Sequence, residues 1–298
     1  MALFKGSGVA IITPFKSDEK RSVDFDKYTE LINWHVENGT DAIITCGTTG
    51  ETSTMLIDEQ LEVIECAVLA AKKRVKVIAG TGTNDTAYDI NVSKGAEKLG
   101  VDGLLLVTPY YNKTSQKGLI QHFTALASSV SLPVILYNVP SRTALNILPD
   151  TAYELSKIEN IVGIKEASGD ISQIAAIAEF CDNNFALYSG NDDQTIPILS
   201  LGGIGLISVV ANIMPQYVHD MIFTYLNGDH EKARDMQLKL NPFCRALFLD
   251  VSPMPLKAAM NMMGMGVGEC RLPLIDVEGS TREMIKVRMK EQGLKVAR

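Results

Sequence analysis

Short runs of apolar, often β-branched residues recur along the chain, and longer amphipathic segments separate them. The runs cover residues 9–12, 42–44, 75–79, 104–107, 134–137, 161–164, 186–188 and 205–209. Runs that are apolar throughout are typical of strands buried on both faces, as in a parallel sheet covered by helices. The pattern therefore predicts eight parallel strands.

Between these runs, apolar residues repeat with the period of an α-helix. In the first such segment Phe25, Tyr28 and Leu31 mark one face, and Gly39 closes the segment as a helix C-cap. Further helices are predicted over residues 57–73, 86–99, 117–130, 172–180 and 195–201. Eight strand–helix units match an α/β protein of the (β/α)8 TIM-barrel class, and a doubly wound sheet is the structural alternative.

The chain continues beyond the eighth run with segments that are also predicted to be helical. They lie near residues 217–226, 229–249, 254–263 and 281–292. Four prolines are expected to break this part into short pieces: Pro242, Pro253, Pro255 and Pro273. We therefore expect a barrel domain over residues 1–225 and a C-terminal helical extension over residues 226–298, not a second catalytic domain.

Composition and charge favour a partner that is a small molecule. The chain is 46% hydrophobic, and its net charge of −7 arises from 35 acidic and 28 basic residues without a basic block. This argues against nucleic acid and membrane surfaces as partners. The cysteines are Cys46, Cys66, Cys181, Cys244 and Cys270, which lack the spacing of a zinc or redox motif. No leader peptide or membrane-spanning run is visible, so we expect a cytoplasmic protein with reduced thiols.

The candidate chemistry begins with Lys165, which ends the sixth run, and Tyr137, which ends the fifth. A solvated lysine is almost entirely ammonium at neutral pH and cannot attack a carbonyl group. Placement at the end of a buried strand removes water and favours the neutral amine, which can form a Schiff base with a keto acid. The alternative is that Lys165 is an ordinary solvated residue where a strand meets a loop.

Polar residues after the other strands fall where a barrel has its active site. Thr48 and Thr49 lie between glycines after the second run, and Tyr111 follows the fourth. Tyr137 could exchange protons with an amine through a relay of Thr48 and Tyr111. Arg142 has the planar fork that suits a substrate carboxylate. Taken singly, these residues could also form a tight turn, a packing contact or a surface ion pair.

Metal and histidine chemistry have less support. Asp192 and Asp193 are expected to cap a helix N-terminus, because no third carboxylate or histidine clusters with them. All four histidines fall within predicted helices: His35, His122, His219 and His230. The chain also lacks a P-loop lysine and a GxGxxG motif, so nucleotide binding is not indicated.

Four motifs together resemble the dihydrodipicolinate synthase family of the pyruvate-dependent class I aldolase superfamily. They are Gly47-Thr48-Thr49-Gly50-Glu51, Thr108-Pro109-Tyr110-Tyr111-Asn112, Leu136-Tyr137-Asn138-Val139-Pro140-Ser141-Arg142-Thr143 and Gly163-Ile164-Lys165-Glu166-Ala167-Ser168-Gly169-Asp170. The resemblance spans nearly the whole chain, with the motifs in order at predicted strand ends. It implies a lyase of lysine and diaminopimelate biosynthesis that condenses pyruvate with L-aspartate 4-semialdehyde and needs no cofactor.

The resemblance also implies roles for individual residues. Lys165 would form the Schiff base, and Tyr137 would relay protons through Thr48 to Tyr111. Thr49, Gly190 and Ile207 would hold the pyruvate end, and Arg142 would bind the carboxylate of the second substrate. The family's homotetramers are dimers of dimers in which Tyr111 enters the neighbouring subunit's active site.

The resemblance further implies a site for lysine as a feedback inhibitor, and here the sequence departs from the inhibited pattern. Ile57 and Gln60 replace histidines, and Tyr88 replaces a glutamate, whereas Asn84 and Tyr110 fit. We therefore expect weak or absent inhibition by lysine.

Two other functions remain open at this point. N-acetylneuraminate lyase and 2-keto-3-deoxygluconate aldolase share the lysine and the tyrosine, but the position of Arg142 disfavours them. A non-catalytic binding barrel is the alternative from a different class, and the joint presence of Lys165, Tyr137, Thr48 and Tyr111 argues against it.

Overall fold

The computed structural model describes residues 2–180 and 184–296 of the chain. Eight parallel strands close into a barrel in the order of the sequence, and β1 pairs with β8. The strands are β1 Gly6–Ala10, β2 Ala42–Thr45, β3 Lys76–Gly80, β4 Gly103–Val107, β5 Val134–Asn138, β6 Ile161–Glu166, β7 Ala186–Ser189 and β8 Gly205–Ser208. The predicted TIM-barrel class is confirmed.

Helices connect the strands and continue beyond the barrel. Those around the barrel are α1 Phe25–Glu37, α2 Ile57–Ala71, α3 Thr86–Leu99, α4 Gln116–Ala127, α5 Pro140–Thr143, α6 Pro149–Ser156, α7 Ile171–Phe180, α8 Thr195–Ser200 and α9 Pro215–Leu226. The C-terminal helices are α10 His230–Ala246, α11 Met254–Met262 and α12 Gly279–Glu291. In the part of the chain that the structure describes, no helix is long and apolar enough to cross a membrane.

Local chemistry explains where α3 begins and ends. The Asp85 carboxylate accepts hydrogen bonds from the backbone N–H groups of Ala87 and Tyr88, which have no partner within the helix. At the other end Gly100 takes the left-handed conformation, with φ of 84°, and its N–H bonds back to the last turn. The helix therefore occupies the predicted residues 86–99.

Two parts of the barrel differ from the prediction. The first strand begins at Gly6, three residues before the predicted apolar run, because Gly6, Ser7 and Gly8 carry no apolar signal. A side chain at position 8 would force its neighbours to shift, since an added Cβ would lie 2.6 Å from Ile44 Cδ1 and 2.9 Å from Phe4 Cζ. Between β5 and β6 the eight-residue helix α6 was not predicted, because its short pattern offers only Ala152 and Leu155 as buried apolar residues.

The expectation that Pro242 breaks the extension is wrong. Helix α10 continues through Pro242, which removes one backbone hydrogen bond and costs roughly 3 kcal/mol in a helix interior. On the same helix Leu240 and Phe243 are fully buried, and each such burial contributes ~1.5–3 kcal/mol. Packing of the inner face therefore offsets the lost bond. Pro253 and Pro255 do lie at the start of α11, as a helix boundary requires.

Two hydrophobic clusters build the core. The inner cluster fills the barrel, where the rings of Phe4 and Tyr188 stack at 4.5 Å. The Tyr188 hydroxyl donates to the carbonyl of Phe4 at 2.7 Å, so the N-terminal segment closes the bottom of the barrel. The outer cluster lies between strands and helices, and it includes Phe243 and Leu256 of the extension. The extension is thus packed on the barrel through one continuous core.

Candidate active site

Lys165 and Tyr137 lie side by side at the carboxyl ends of neighbouring strands. They are register partners in the β5–β6 ladder, so both side chains project to the same end of the barrel. Lys165 is 5% exposed, and its Nζ lies 4.2 Å from the centroid of the Tyr137 ring. The predicted burial of Lys165 is confirmed, and the alternative of a solvated lysine is wrong. The contact is a cation–π interaction when the amine is protonated.

Gly190 lies against the stem of Lys165. A Cβ at position 190 would lie 3.1 Å from Lys165 Cε and 2.7 Å from Ala167 Cβ, so only glycine leaves room for the lysine stem. Ile207 is fully buried in β8. Gly190 therefore limits the space around the lysine stem, where the resemblance implies that the pyruvate end is held.

Asp192 is buried near Lys165, but its role differs from the prediction. Its carboxylate accepts from the Ser208 hydroxyl and from the backbone N–H groups of Val209 and Val210. Helix α8 begins after Gln194 without a side-chain cap, so the expectation that the aspartates cap it is wrong. Burial raises the pKa of Asp192, while these hydrogen bonds and the charge of Lys165 oppose that rise.

Glu166, next to Lys165, is a buried carboxylate whose importance the sequence did not indicate. Asn138 Nδ2 donates to its Oε2 at 3.0 Å, and the Ser168 N–H donates to its Oε1 at 2.7 Å. Burial raises the pKa of Glu166 against these hydrogen bonds. The network joins the ends of β5 and β6, which fixes the strands that carry Tyr137 and Lys165.

The threonine turn after β2 is a short 3-10 helix, Thr48–Gly50. Thr49 is buried and Thr48 is exposed, so the two hydroxyl side chains have different environments. The Thr13 hydroxyl donates to the carbonyl of Gly50 at 2.8 Å. Glu51, which follows, takes a left-handed conformation with φ of 57°. The turn is therefore held from the barrel side and from its own C-terminal end.

A cavity of about 460 Å³ opens beside these residues. Its lining includes Thr48, Tyr137 and Arg142, together with Val139 and Thr143 from the segment after β5. Lys165 is not among the lining residues; it lies against the Tyr137 ring, which is. The volume falls within the usual range of small-molecule sites.

The same cavity extends to the positions that the sequence connected with lysine inhibition. Gln60, Asn84, Tyr88 and Tyr110 line it, whereas Ile57 does not. The Gln60 amide donates to the carbonyl of Gly80 at 3.0 Å, so its N–H is already committed to the end of β3.

Arg142 lines the cavity, whereas Tyr111, which follows β4, is not among its lining residues. Arg142 lies in the short helix α5, where its Nη2 donates to the carbonyl of Ser252 at 3.1 Å. Tyr111 is 92% exposed and has a left-handed φ of 70°. Among the described residues no hydrogen bond joins Tyr111, Thr48 and Tyr137 within one chain.

Metal-binding groups do not gather in the described part of the chain, where no cluster of three His, Cys, Asp or Glu residues could hold an ion. Cys46, Cys66, Cys244 and Cys270 are free thiols, and Cys181 lies outside the described residues. All four histidines lie in helices, as predicted.

A closed (β/α)8 barrel with a buried lysine against a tyrosine at the carboxyl ends of its strands defines a Schiff-base-forming lyase. The model of the dihydrodipicolinate synthetase family matches residues 3–292. The chain belongs to this family.

Individual relatives agree with that assignment. A 4-hydroxy-tetrahydrodipicolinate synthase of Thermoanaerobacter sp. (strain X514) is 56% identical over 295 residues, which cover 99% of this chain and 98% of that protein. The crystal structure of dihydrodipicolinate synthase from Aquifex aeolicus is 42% identical with a TM-score of 0.96, over 99% of this chain and 100% of that one. The enzyme from Cyanidioschyzon merolae, determined with lysine bound, is 39% identical with a TM-score of 0.96, over 99% of this chain and 100% of that one.

Proposed function

We propose that the chain is a 4-hydroxy-tetrahydrodipicolinate synthase in which Lys165 forms a Schiff base with pyruvate. The observation that carries this proposal is the buried Lys165 amine, 4.2 Å from the Tyr137 ring centroid in a barrel of this family. The second substrate is L-aspartate 4-semialdehyde. The reaction belongs to lysine and diaminopimelate biosynthesis.

The chemistry follows from the amine. Attack of Lys165 on the keto carbon of pyruvate and loss of water give an imine, and the protonated imine is an electron sink that makes the methyl group acidic. Loss of a methyl proton gives an enamine, whose carbon adds to the aldehyde. The amino group of the second substrate then attacks the imine carbon, which closes the ring and releases Lys165.

Proton transfer is assigned to the tyrosines and Thr48. Tyr137 lies against the amine and lines the cavity, so it can donate and accept protons at the carbinolamine and the imine. Thr48 lines the same cavity and would connect Tyr137 to Tyr111. Such a relay requires hydrogen-bond distances, which Tyr111 would reach only from another subunit.

Substrate binding is assigned to the surrounding walls. Thr49, Gly190 and Ile207 would hold the carboxylate end of pyruvate through backbone and hydroxyl groups. Gly190 has no side chain, which leaves room for the substrate. Arg142 lines the cavity and would pair with the carboxylate of the aldehyde substrate. Its bond to Ser252 occupies one N–H, and the other donors of the guanidinium suit this pairing.

Reduction with borohydride in the presence of pyruvate tests the nucleophile. We expect a single covalent adduct on Lys165, identified by peptide mass spectrometry, and its loss in Lys165→Ala with turnover reduced by about a thousandfold or more. Lys157→Ala is the matched control, because Lys157 is an exposed lysine paired with Glu154. An adduct on another lysine, or full turnover in Lys165→Ala, would contradict the proposal.

The choice of aldehyde is tested separately. Turnover with L-aspartate 4-semialdehyde should exceed cleavage of N-acetylneuraminate, and Arg142→Ala should raise KM for the semialdehyde more than for pyruvate. Equal loss for both substrates would remove the assigned role of Arg142.

We also propose a dimer of dimers as the working assembly, with residues 1–225 as the catalytic barrel and 226–298 as its supporting extension. The exposure of Tyr111 supports the dimer. A hydroxyl that relays protons must be held in a buried site, and a side chain that is exposed in one subunit can become buried only by contact with another. A cytoplasmic location fits the free thiols of the described cysteines.

A further inference from the structure

A second buried lysine, Lys257 of α11, forms an ion pair that the reaction does not use. Its Nζ lies 2.7 Å from Glu51 Oε1, and both residues are 2% exposed. The amine also donates to the carbonyl of Glu269 at 3.2 Å and lies 4.1 Å from the Phe15 ring centroid. The backbone N–H of Arg271 donates to Glu51 Oε2 at 2.8 Å.

Such a pair is expensive to bury. The attraction between two buried charges barely offsets the free energy lost when both leave water. Apolar residues of the same volume often stabilise a core equally well or better. Burial lowers the pKa of Lys257, while the Glu51 carboxylate opposes this change. The pair is therefore poorly explained as a stabilising device and better explained by what it holds in place.

Glu51 ends the turn that presents the two threonines. It is the C-cap of the 3-10 helix Thr48–Gly50, and its N–H bonds to the carbonyl of Thr48 at 3.1 Å. Its backbone is left-handed, a conformation that a non-glycine residue adopts only when its surroundings enforce it. The Lys257 contact and the Arg271 N–H fix the Glu51 side chain, so they also fix the backbone from which Thr48 leaves.

The same part of the extension reaches the second substrate-facing loop. The carbonyl of Ser252, five residues before Lys257, accepts from Arg142 Nη2. The start of α11 therefore contacts both the threonine turn and the arginine of the mouth. The segment after α11 also reaches Glu51, through the Arg271 N–H and the Cys270 thiol, and among the described residues Lys257 supplies the only ion pair to this carboxylate.

We propose that Lys257 is a positioning residue, whose ion pair with Glu51 holds the threonine turn so that Thr48 can complete the proton relay from Tyr137. The C-terminal extension thereby sets the geometry of the barrel mouth. This inference rests on the proposed function, because it assigns Thr48 a place in that reaction.

The test compares Lys257→Met, Glu51→Gln and the double variant with wild type. In Lys257→Met we expect kcat to fall by about tenfold to a hundredfold, because small misplacements of catalytic groups are costly. KM for pyruvate should change by less than about threefold, and the borohydride adduct on Lys165 should still form, because the amine itself is untouched. The double variant should lose no more activity than Lys257→Met, as expected for two residues that act as one unit.

Arg282→Met is the matched control, because Arg282 of the same extension forms an exposed ion pair with Asp276. It should leave kcat unchanged. Amide hydrogen exchange of the peptide that contains Thr48 and Glu51 should quicken in Lys257→Met and not in Arg282→Met. This readout needs no turnover, so it separates failure of this inference from failure of the proposed reaction.

Two results would overturn the inference. One is a Lys257→Met protein with a lowered Tm but wild-type kcat and wild-type exchange at the turn, which is the behaviour of a purely structural contact. The other is strictly additive loss in the double variant. If Lys257→Met does not fold, Glu51→Gln provides the test. It should lower kcat by about threefold or more while the borohydride adduct on Lys165 still forms. Wild-type kcat in Glu51→Gln would overturn the inference.

Discussion

The two buried lysines differ in their partners, and this difference matches the separate roles proposed for them. Lys257 is paired with the Glu51 carboxylate at 2.7 Å, which fixes the position of its amine. Lys165 has no carboxylate within ion-pair distance among the described residues and lies against a tyrosine ring. The proposed nucleophile is thus the buried amine that lies against a proposed proton-transfer group, and the proposed positioning residue is the one that a carboxylate holds.

His35 gives a prediction about acid stability. It is fully buried in α1, its Nδ1 lies 3.0 Å from the Thr40 hydroxyl, and burial lowers its pKa to about 3. The unfolded chain has a histidine pKa of about 6.5, so it binds more protons than the folded chain between these values. The stability that neutral His35 contributes is therefore fully present above pH 6.5 and is lost as the pH falls toward 3.

The measurement is the free energy of unfolding in urea at pH 6.5 and pH 5, at fixed protein concentration. Because one pKa unit corresponds to about 1.4 kcal/mol and the unfolded histidine is half protonated at pH 6.5, the free energy of unfolding of wild type should fall by about 1.6 kcal/mol more than that of His35→Leu over this interval. His230→Leu is the control, because His230 is exposed at the start of α10. Equal losses in wild type and His35→Leu would show that His35 is not the acid-sensitive group.

Helices α2 and α3 each contribute one residue, Gln60 and Tyr88, to the lining of the cavity, and these two positions give the next prediction. Gln60 of α2 is buried and bonded to Gly80, and Tyr88 of α3 places a phenol where the inhibited pattern has a carboxylate. An ammonium group from lysine would therefore enter this wall without a countercharge from Tyr88, and burial of an unpaired charge is costly.

We accordingly expect wild type to show weak or absent inhibition by lysine. Tyr88→Glu should increase inhibition by about tenfold, which corresponds to about 1.4 kcal/mol of added binding free energy. Tyr88→Gln is the matched control of similar size without charge. Steady-state assays at varied lysine concentration make the comparison, and submillimolar inhibition of wild type would contradict the expectation.

The elements show which parts of the fold were predictable. Strands such as β6 could be predicted because a strand that is buried on both faces is apolar along its whole length, and this run is visible in the sequence alone. Helix α6 was missed because a helix of two turns is too short to show a helical repeat of apolar residues. The predicted break at Pro242 was wrong because the sequence does not show how the inner face of α10 packs. The placement of Lys165 and Tyr137 at neighbouring strand ends was predictable because barrel topology brings strand ends together. The Lys257–Glu51 pair was not, because it joins distant parts of the chain by tertiary packing alone.

The exposed position of Tyr111 determines whether the proposed site can be complete in a single subunit. A ring that is 92% exposed cannot hold a relay hydroxyl in a fixed position within one subunit. In a twofold symmetric dimer each subunit can supply this hydroxyl to the other, since every contact occurs twice. The proposed site is then complete only in the dimer, with Lys165, Tyr137 and Thr48 from one chain and Tyr111 from its partner.

Mixing inactive subunits tests this arrangement. Lys165→Ala and Tyr111→Phe subunits, coexpressed in equal amounts, should form mixed dimers in which one of the two sites has every wild-type group. Random pairing should thus restore on the order of a quarter of wild-type activity. Lys165→Ala mixed with Tyr137→Phe is the control, because both residues come from the same chain and no complete site can form. No recovery in the first mixture, with mixed dimers shown by native mass spectrometry, would place the Tyr111 hydroxyl outside the neighbour's site. Recovery in the first mixture alone would mean that the exposed tyrosine works across the interface, because only exchange between chains can rebuild the relay.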